Sequence, residues 1–181
     1  MIAILCNWIY VIFVSLGLGV GFSELSKKIF GYRIKRIDSL LMAGLAIATV
    51  YAQIFSLFTG VGMMANIVLF VCCILVYIFQ GKNLKHCHFT SEERIKPEII
   101  IVVAILVLLW AYFTSRGYMH YDSDLYHAQS IRWIEEYGVV PGLGNLHERF
   151  AYNSSFFALS ALFSMKFLCG TSMHTMSGFF A

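Results

Sequence analysis

The sequence predicts an all-α, polytopic membrane protein, and three observations carry that prediction. Hydrophobic residues make up 59% of the chain and charged residues only 13%, a composition outside the range of soluble globular domains. The apolar residues gather into runs close to the roughly 20 residues that a helix needs to cross a bilayer. The basic residues gather in alternate connections between those runs, as the positive-inside tendency requires.

The first run is Ile2 to Phe22. It lacks a basic leader and is longer than the roughly 7–15 residues of a signal-peptide core, so it reads as a retained span. Gly17 and Gly21 stand four apart in it, a spacing that lets helices approach closely in a membrane. The second run is Leu40 to Phe58, the third Met63 to Phe79 and the fourth Ile99 to Phe113. Pro97 marks the start of the fourth. Phe156 to Leu168 is the fifth and shortest, giving about five transmembrane helices. Gly170 to Ala181 is polar at first and then apolar again, which predicts a fragment of something longer. The chain thus divides into a four-span region (1–114), a polar loop (115–155) and a fifth span with its tail (156–181).

Lys27, Lys28, Arg33, Lys35 and Arg36 lie between runs one and two, and Lys82, Lys85, Arg94 and Lys96 between three and four. The turn Thr59-Gly60-Val61-Gly62 carries no charge. The two basic connections are therefore expected in the cytoplasm, with the N-terminus and residues 115–155 outside. Lys166 is expected near the inner end of the fifth span, snorkelling to the interface. The net charge of +3 follows from this orientation and gives no argument for nucleic acid. The cysteines (Cys6, Cys72, Cys73, Cys87 and Cys169) form no disulfide framework. His86-Cys87-His88 lacks metal-ligand spacing and reads as a solvated loop.

The polar loop is where titratable chemistry concentrates. Leu125, Ala128, Ile131, Ile134 and Tyr137 recur in steps of three, predicting an amphipathic helix over Asp124 to Tyr137. Ser123 or Asp122 is placed to cap its start, and Gly138 to end it. Its aromatic residues suit a helix lying along the membrane surface. Val139 to Asn145 follows as a turn-rich connector.

Asp122 and Asp124 stand two apart ahead of that helix. Three readings stand for them: ligands of a Mg²⁺-type ion, a carboxylate with a raised pKa acting as general base, or helix-capping residues. His127, three after Asp124, pairs with it either in acid–base work or as an interfacial hydrogen-bonding neighbour. His120 either joins this cluster or is solvated. Arg132, His147 and Arg149 supply cationic donors on the same side, suited to phosphate oxygens. The alternatives are that Arg132 pairs with Glu135 or Glu136, and that all three meet lipid headgroups. Asn153-Ser154-Ser155 matches a glycosylation acceptor, but beside a span it reads as a helix start.

Two stretches together resemble the outer loop of GT-C type polytopic glycosyltransferases, in particular an uncharacterised bacterial subgroup. They are Tyr121-Asp122-Ser123-Asp124-Leu125-Tyr126-His127, and Val140-Pro141-Gly142-Leu143-Gly144-Asn145-Leu146-His147 continued by Arg149 to Ser155. The resemblance covers about residues 115–165. It implies a membrane enzyme of the bacterial cytoplasmic membrane that takes a sugar from a polyprenyl-phosphate-linked donor. The acceptor would be a cell-envelope glycan or lipid on the outer face. By position it makes Asp122 the leading catalytic acid, with Asp124 second and His127 beside them. Arg132, Asn145, His147 and Arg149 become candidates for substrate binding, and Asp122 and Asp124 for Mg or Mn. In GT-C enzymes the acidic loop follows the first span and the chain is longer, so this sequence would be an N-terminal portion.

Two other functions are set beside that expectation. A transporter or lipid-linked glycan flippase needs ionisable residues inside spans, and Lys166 is the one clear case. A non-catalytic membrane subunit or remnant is the other.

Overall fold

A computed structural model describes residues 1–82, 96–117, 121–152 and 154–181. His120, Asn153, the His86-Cys87-His88 segment and the Asp124 side chain lie outside the described residues. The chain is all-α, with no strand among the described residues. Among the described residues four helices are long and apolar enough to cross a membrane: α1 (Ile2–Phe30), α2 (Ile37–Ser56), α3 (Met63–Gln80) and α4 (Pro97–Ser115). Four short α-helices follow among the described residues: α5 (Ala128–Tyr137), α6 (Ser155–Leu162), α7 (Lys166–Cys169) and α8 (Met176–Phe180).

α1 continues two turns past its apolar run because Ser23 and Ser26 are buried, where Ser23 Oγ accepts the amide of Ile34 at 2.9 Å. Gly31 then ends the helix in the left-handed region (φ 73°), its N–H returning to the Lys27 carbonyl, an ending that Gly adopts without a Cβ penalty. α1 and α2 form the tightest pair. A Cβ on Gly19 would collide with the Leu40 carbonyl, and one on Gly44 with the Ser15 carbonyl. Small residues permit such approach where lipid supplies no hydrophobic drive between helices. Gly17 and Gly21 of the predicted pair instead face α3, against Cys73 and Val76. There the Tyr77 hydroxyl donates to the Phe13 carbonyl at 2.7 Å. α4 begins with Pro97 at its first turn and exposes almost every side chain from Ile99 to Phe113, touching α1 where Ala111 packs with Ile4 and Trp8.

The expected fifth span is where sequence and structure differ. α6 has eight residues, about 12 Å of helix, against a hydrocarbon core of about 30 Å. It is buried from Phe157 to Leu162 and stops inside the bundle, where its terminal carbonyls need partners. Two buried amides provide them: Asn7 Nδ2 donates to the Phe163 carbonyl at 2.8 Å, and Asn66 Nδ2 to the Leu162 carbonyl at 2.9 Å. Each amide oxygen is also satisfied, by the Thr175 hydroxyl on Asn7 (2.6 Å) and the Tyr10 hydroxyl on Asn66 (3.1 Å). Met165 adopts φ 51°, the chain reverses, and the Met173 amide donates back to the Ser164 carbonyl at 2.8 Å. Trp8 Nε1 donates to the Thr175 carbonyl at 3.2 Å, fixing the returning strand of chain to α1.

The reversal relocates Lys166. It does not sit at the far end of a span but hydrogen-bonds Glu136 of α5. The helix that would have carried it across turns back first.

Candidate functional site

The antiparallel order brings the start of α1, the α2–α3 turn and the loop after α4 to one end of the bundle. α5 is docked there rather than free on a surface. The Val61 amide donates to the Ile134 carbonyl at 3.0 Å and the Val139 amide to the Ser56 carbonyl at 2.7 Å. Gly138 ends α5 with φ 76°, at a place where a Cβ would meet the Ser56 and Thr59 carbonyls. The buried stripe of α5 contains Ile131, as periodicity predicts, but also Ser130 and Glu135. Glu135 accepts from the hydroxyls of Ser164 and Ser172, both at 2.6 Å. Glu136 is held by Lys166 and, at 3.0 Å, by Arg132 Nε. Those two cations, Lys166 first, hold its carboxyl below the ordinary carboxylate range. These bonds clamp α5 onto the α6–α8 hairpin.

Ahead of α5, residues Ser123–His127 form a π-helical turn, with the Ala128 amide reaching the Ser123 carbonyl. Such turns insert a residue and re-aim the side chains around it, and they recur at functional sites. Here the turn buries Tyr126 and brings the His127 ring to 5.2 Å from that of Phe157. Asp122 makes no side-chain cap bond at this turn. Its carboxylate accepts from Arg149 Nη1 at 3.3 Å, across 27 positions of sequence. The Arg149 guanidinium also lies 4.9 Å over the Tyr126 ring, a cation–π arrangement. Arg149 is fixed in turn by His147, whose Nδ1 accepts the Arg149 amide at 3.2 Å. The pair is about a third exposed on each side, so as a stabilising contact it contributes at most about 1 kcal/mol. Its interest lies in what it presents.

The π-helical turn that follows Asp122 also borders a cleft of about 390 Å³, enclosed with the end of α4, α6 and the tail. His127 and His174 both line it, with Ser123, Ser172, Phe156 and Phe157. Burial lowers the pKa of His174, and the nearby Glu135 carboxylate opposes that shift. A neutral imidazole in a half-apolar cleft is suited to taking up a proton.

Of the residues singled out from the sequence, the structure joins Asp122, Arg149 and, through Tyr126, His127. Arg132 faces Glu136 instead, and Asn145 is exposed on the short 3₁₀ turn Leu143–Asn145. Among the described residues no group of three or more His, Cys, Asp and Glu converges for a metal, and Asp122 is directed at a guanidinium. Toward Mg or Mn the described residues of this loop thus offer the Asp122 carboxylate, already paired with Arg149. Asn7, Asn66 and His174 are unassigned in the sequence, and Glu135 is named there only as an alternative partner of Arg132. The two asparagines carried a usable signal, a primary amide inside an otherwise apolar run. His174 stood alone in a short tail and carried none.

The chain belongs to the family described as "Domain of unknown function (DUF8201)", whose model matches residues 1–181. No curated protein and no solved structure matches it.

Proposed function

We propose that this chain serves a membrane glycosyltransferase that moves a sugar from a polyprenyl-phosphate-linked donor to a cell-envelope glycan or lipid. The reaction is placed on the outer face of the bacterial cytoplasmic membrane, following the positive-inside distribution of Lys and Arg. One observation carries the reading: Asp122 and Arg149, distant in sequence, meet at 3.3 Å ahead of the π-helical turn whose Ser123 and His127 line a half-apolar cleft. A carboxylate and a guanidinium fork are what a phosphate-linked sugar and a hydroxyl acceptor require together. An arginine already stacked on Tyr126 needs little reorganisation to receive a phosphate.

In this reading the acceptor hydroxyl attacks the anomeric carbon as the bond from that carbon to the phosphate oxygen breaks. Asp122 takes the hydroxyl proton, and the departing polyprenyl phosphate keeps the bonding electrons, its charge met by Arg149. His127 and His174 line the cleft where the sugar would sit.

Replacing Asp122 with Asn in the gene as it stands in its host is expected to abolish the dependent surface polysaccharide at unchanged protein abundance. Surface glycan analysis checks this. Product at the wild-type amount with Asn at position 122 would remove Asp122 from the chemistry.

A further inference from the structure

The opposite end of the bundle carries a second charged feature that sugar transfer does not use. Lys27, Lys28, Arg33, Lys35 and Arg36 crowd the α1–α2 connection, against the carboxylates of Glu24 and Asp38. Membrane orientation accounts for cations here, but not for their arrangement. Residues 31–36 are pinned back onto α1, because Ser23 Oγ accepts the Ile34 amide at 2.9 Å and donates to its carbonyl at 3.3 Å. Arg33 is folded inward with Nη2 on Glu24 at 2.7 Å. Its Nε is buried with no hydrogen-bond partner among the described residues. A buried donor left unmet is costly and is stabilised by any acceptor that reaches it. The pinned loop encloses a groove of about 510 Å³, lined by Lys27, Tyr32, Arg33, Lys35 and Arg36. The left-handed Gly31 faces it with open space where a Cβ would stand. No ion pair among the described residues engages Lys27 or Lys35.

We infer that this groove binds the headgroup phosphate of an anionic phospholipid. Arg33 supplies the inward donor, and Lys27 and Lys35 supply unpaired charge. The choice of a lipid over a free phosphate rests on what adjoins the groove. Ile29 and Phe30, the last residues of α1, are 61% and 78% exposed, which puts apolar surface for an acyl chain directly beside the cationic lining. Tyr32 is of the type that settles at headgroup level. Basic pockets between membrane helices are an established mode of headgroup recognition.

The test is lipid retention by the whole chain, extracted in detergent and offered phosphatidylglycerol or phosphatidylcholine, read by native mass spectrometry. The wild type should retain phosphatidylglycerol preferentially. Preference should fall about fivefold for each cation removed, in Arg33→Gln and further in the double variant Lys27→Gln/Lys35→Gln. Inorganic phosphate at the same concentration should not displace the lipid. Arg33→Gln also breaks the ion pair with Glu24, so the double variant, altering two exposed side chains, keeps the test decisive if Arg33→Gln folds poorly. Equal retention of the two lipids, double-variant retention at the wild-type level, or displacement by inorganic phosphate would each overturn the assignment.

Discussion

Gly44→Ala is expected to separate α1 from α2 and to cost about 3 kcal/mol or more, the upper part of the range for overpacked interiors. The new methyl would fall on the Ser15 carbonyl, and a backbone atom in the middle of a helix cannot rotate away. Both helices must therefore shift. α1 and α2 frame everything else, since α3 packs on α1 and α6 on α2. Gly21→Ala is the matched comparison. There the nearest atom is a Val76 methyl at 3.4 Å, an ordinary contact, so the loss should be within about 1 kcal/mol, the Gly-to-Ala propensity gain in a helix offsetting part of it. Thermal unfolding in detergent separates the two. Equal melting temperatures for the two variants would mean that the α1–α2 crossing is looser than described.

The second large effect is expected from Asn66→Leu, which keeps the volume and removes the amide. The Leu162 carbonyl at the end of α6 and the Tyr10 hydroxyl would both lose a partner away from water. Each buried group left unmet costs about 1–3 kcal/mol. The damage should be local first, with the 163–181 hairpin becoming sensitive to protease before the four long helices unfold. Adding Tyr10→Phe removes one of the two orphans and should return part of the loss. Protease resistance of the hairpin equal to that of the wild type would show that α6 does not depend on this cap.

These two residues also show how much was legible beforehand. The four long helices could be read directly, because continuous apolar length and alternating basic connections are one-dimensional properties. Gly138 ending α5 was legible too, since a glycine after a periodic run has few other uses. The fate of Phe156 to Leu168 was not. Its composition suits a span, and what stops it is a pair of asparagines at positions 7 and 66, supplied by other helices. No local pattern contains that information. Lys166 was misplaced for the same reason, because its position depended on whether α6 continued.

The candidate site divides likewise. Asp122, His127 and Arg149 stood out as polar residues in an apolar chain, but only the fold joins Asp122 to Arg149 over 27 positions. Arg132 was left between a ligand and a helix neighbour, and the structure gives it Glu136, four residues on. The expected cap at Asp122 is replaced by the π-helical turn at Ser123–His127. Around that turn the His127 ring meets Phe157 of α6 and the Arg149 guanidinium lies over Tyr126, contacts that no local pattern contains. Glu135 stands four residues after Ile131 on the same face of α5, and the serine hydroxyls of Ser164 and Ser172 that satisfy its buried carboxylate come from the hairpin, outside any local pattern.

The most direct test of the account is binding of a labelled polyprenyl-phosphate-linked sugar to the purified chain in proteoliposomes. Wild type, Asp122→Asn, Arg149→Gln and Arg132→Gln would be compared. The account predicts that Arg149→Gln loses binding about tenfold or more, the 1.5–3 kcal/mol of a charged hydrogen bond. Asp122→Asn should still bind but no longer transfer, and Arg132→Gln should behave as wild type. Donor binding that is unchanged by Arg149→Gln, or lost equally in Arg132→Gln, would contradict it.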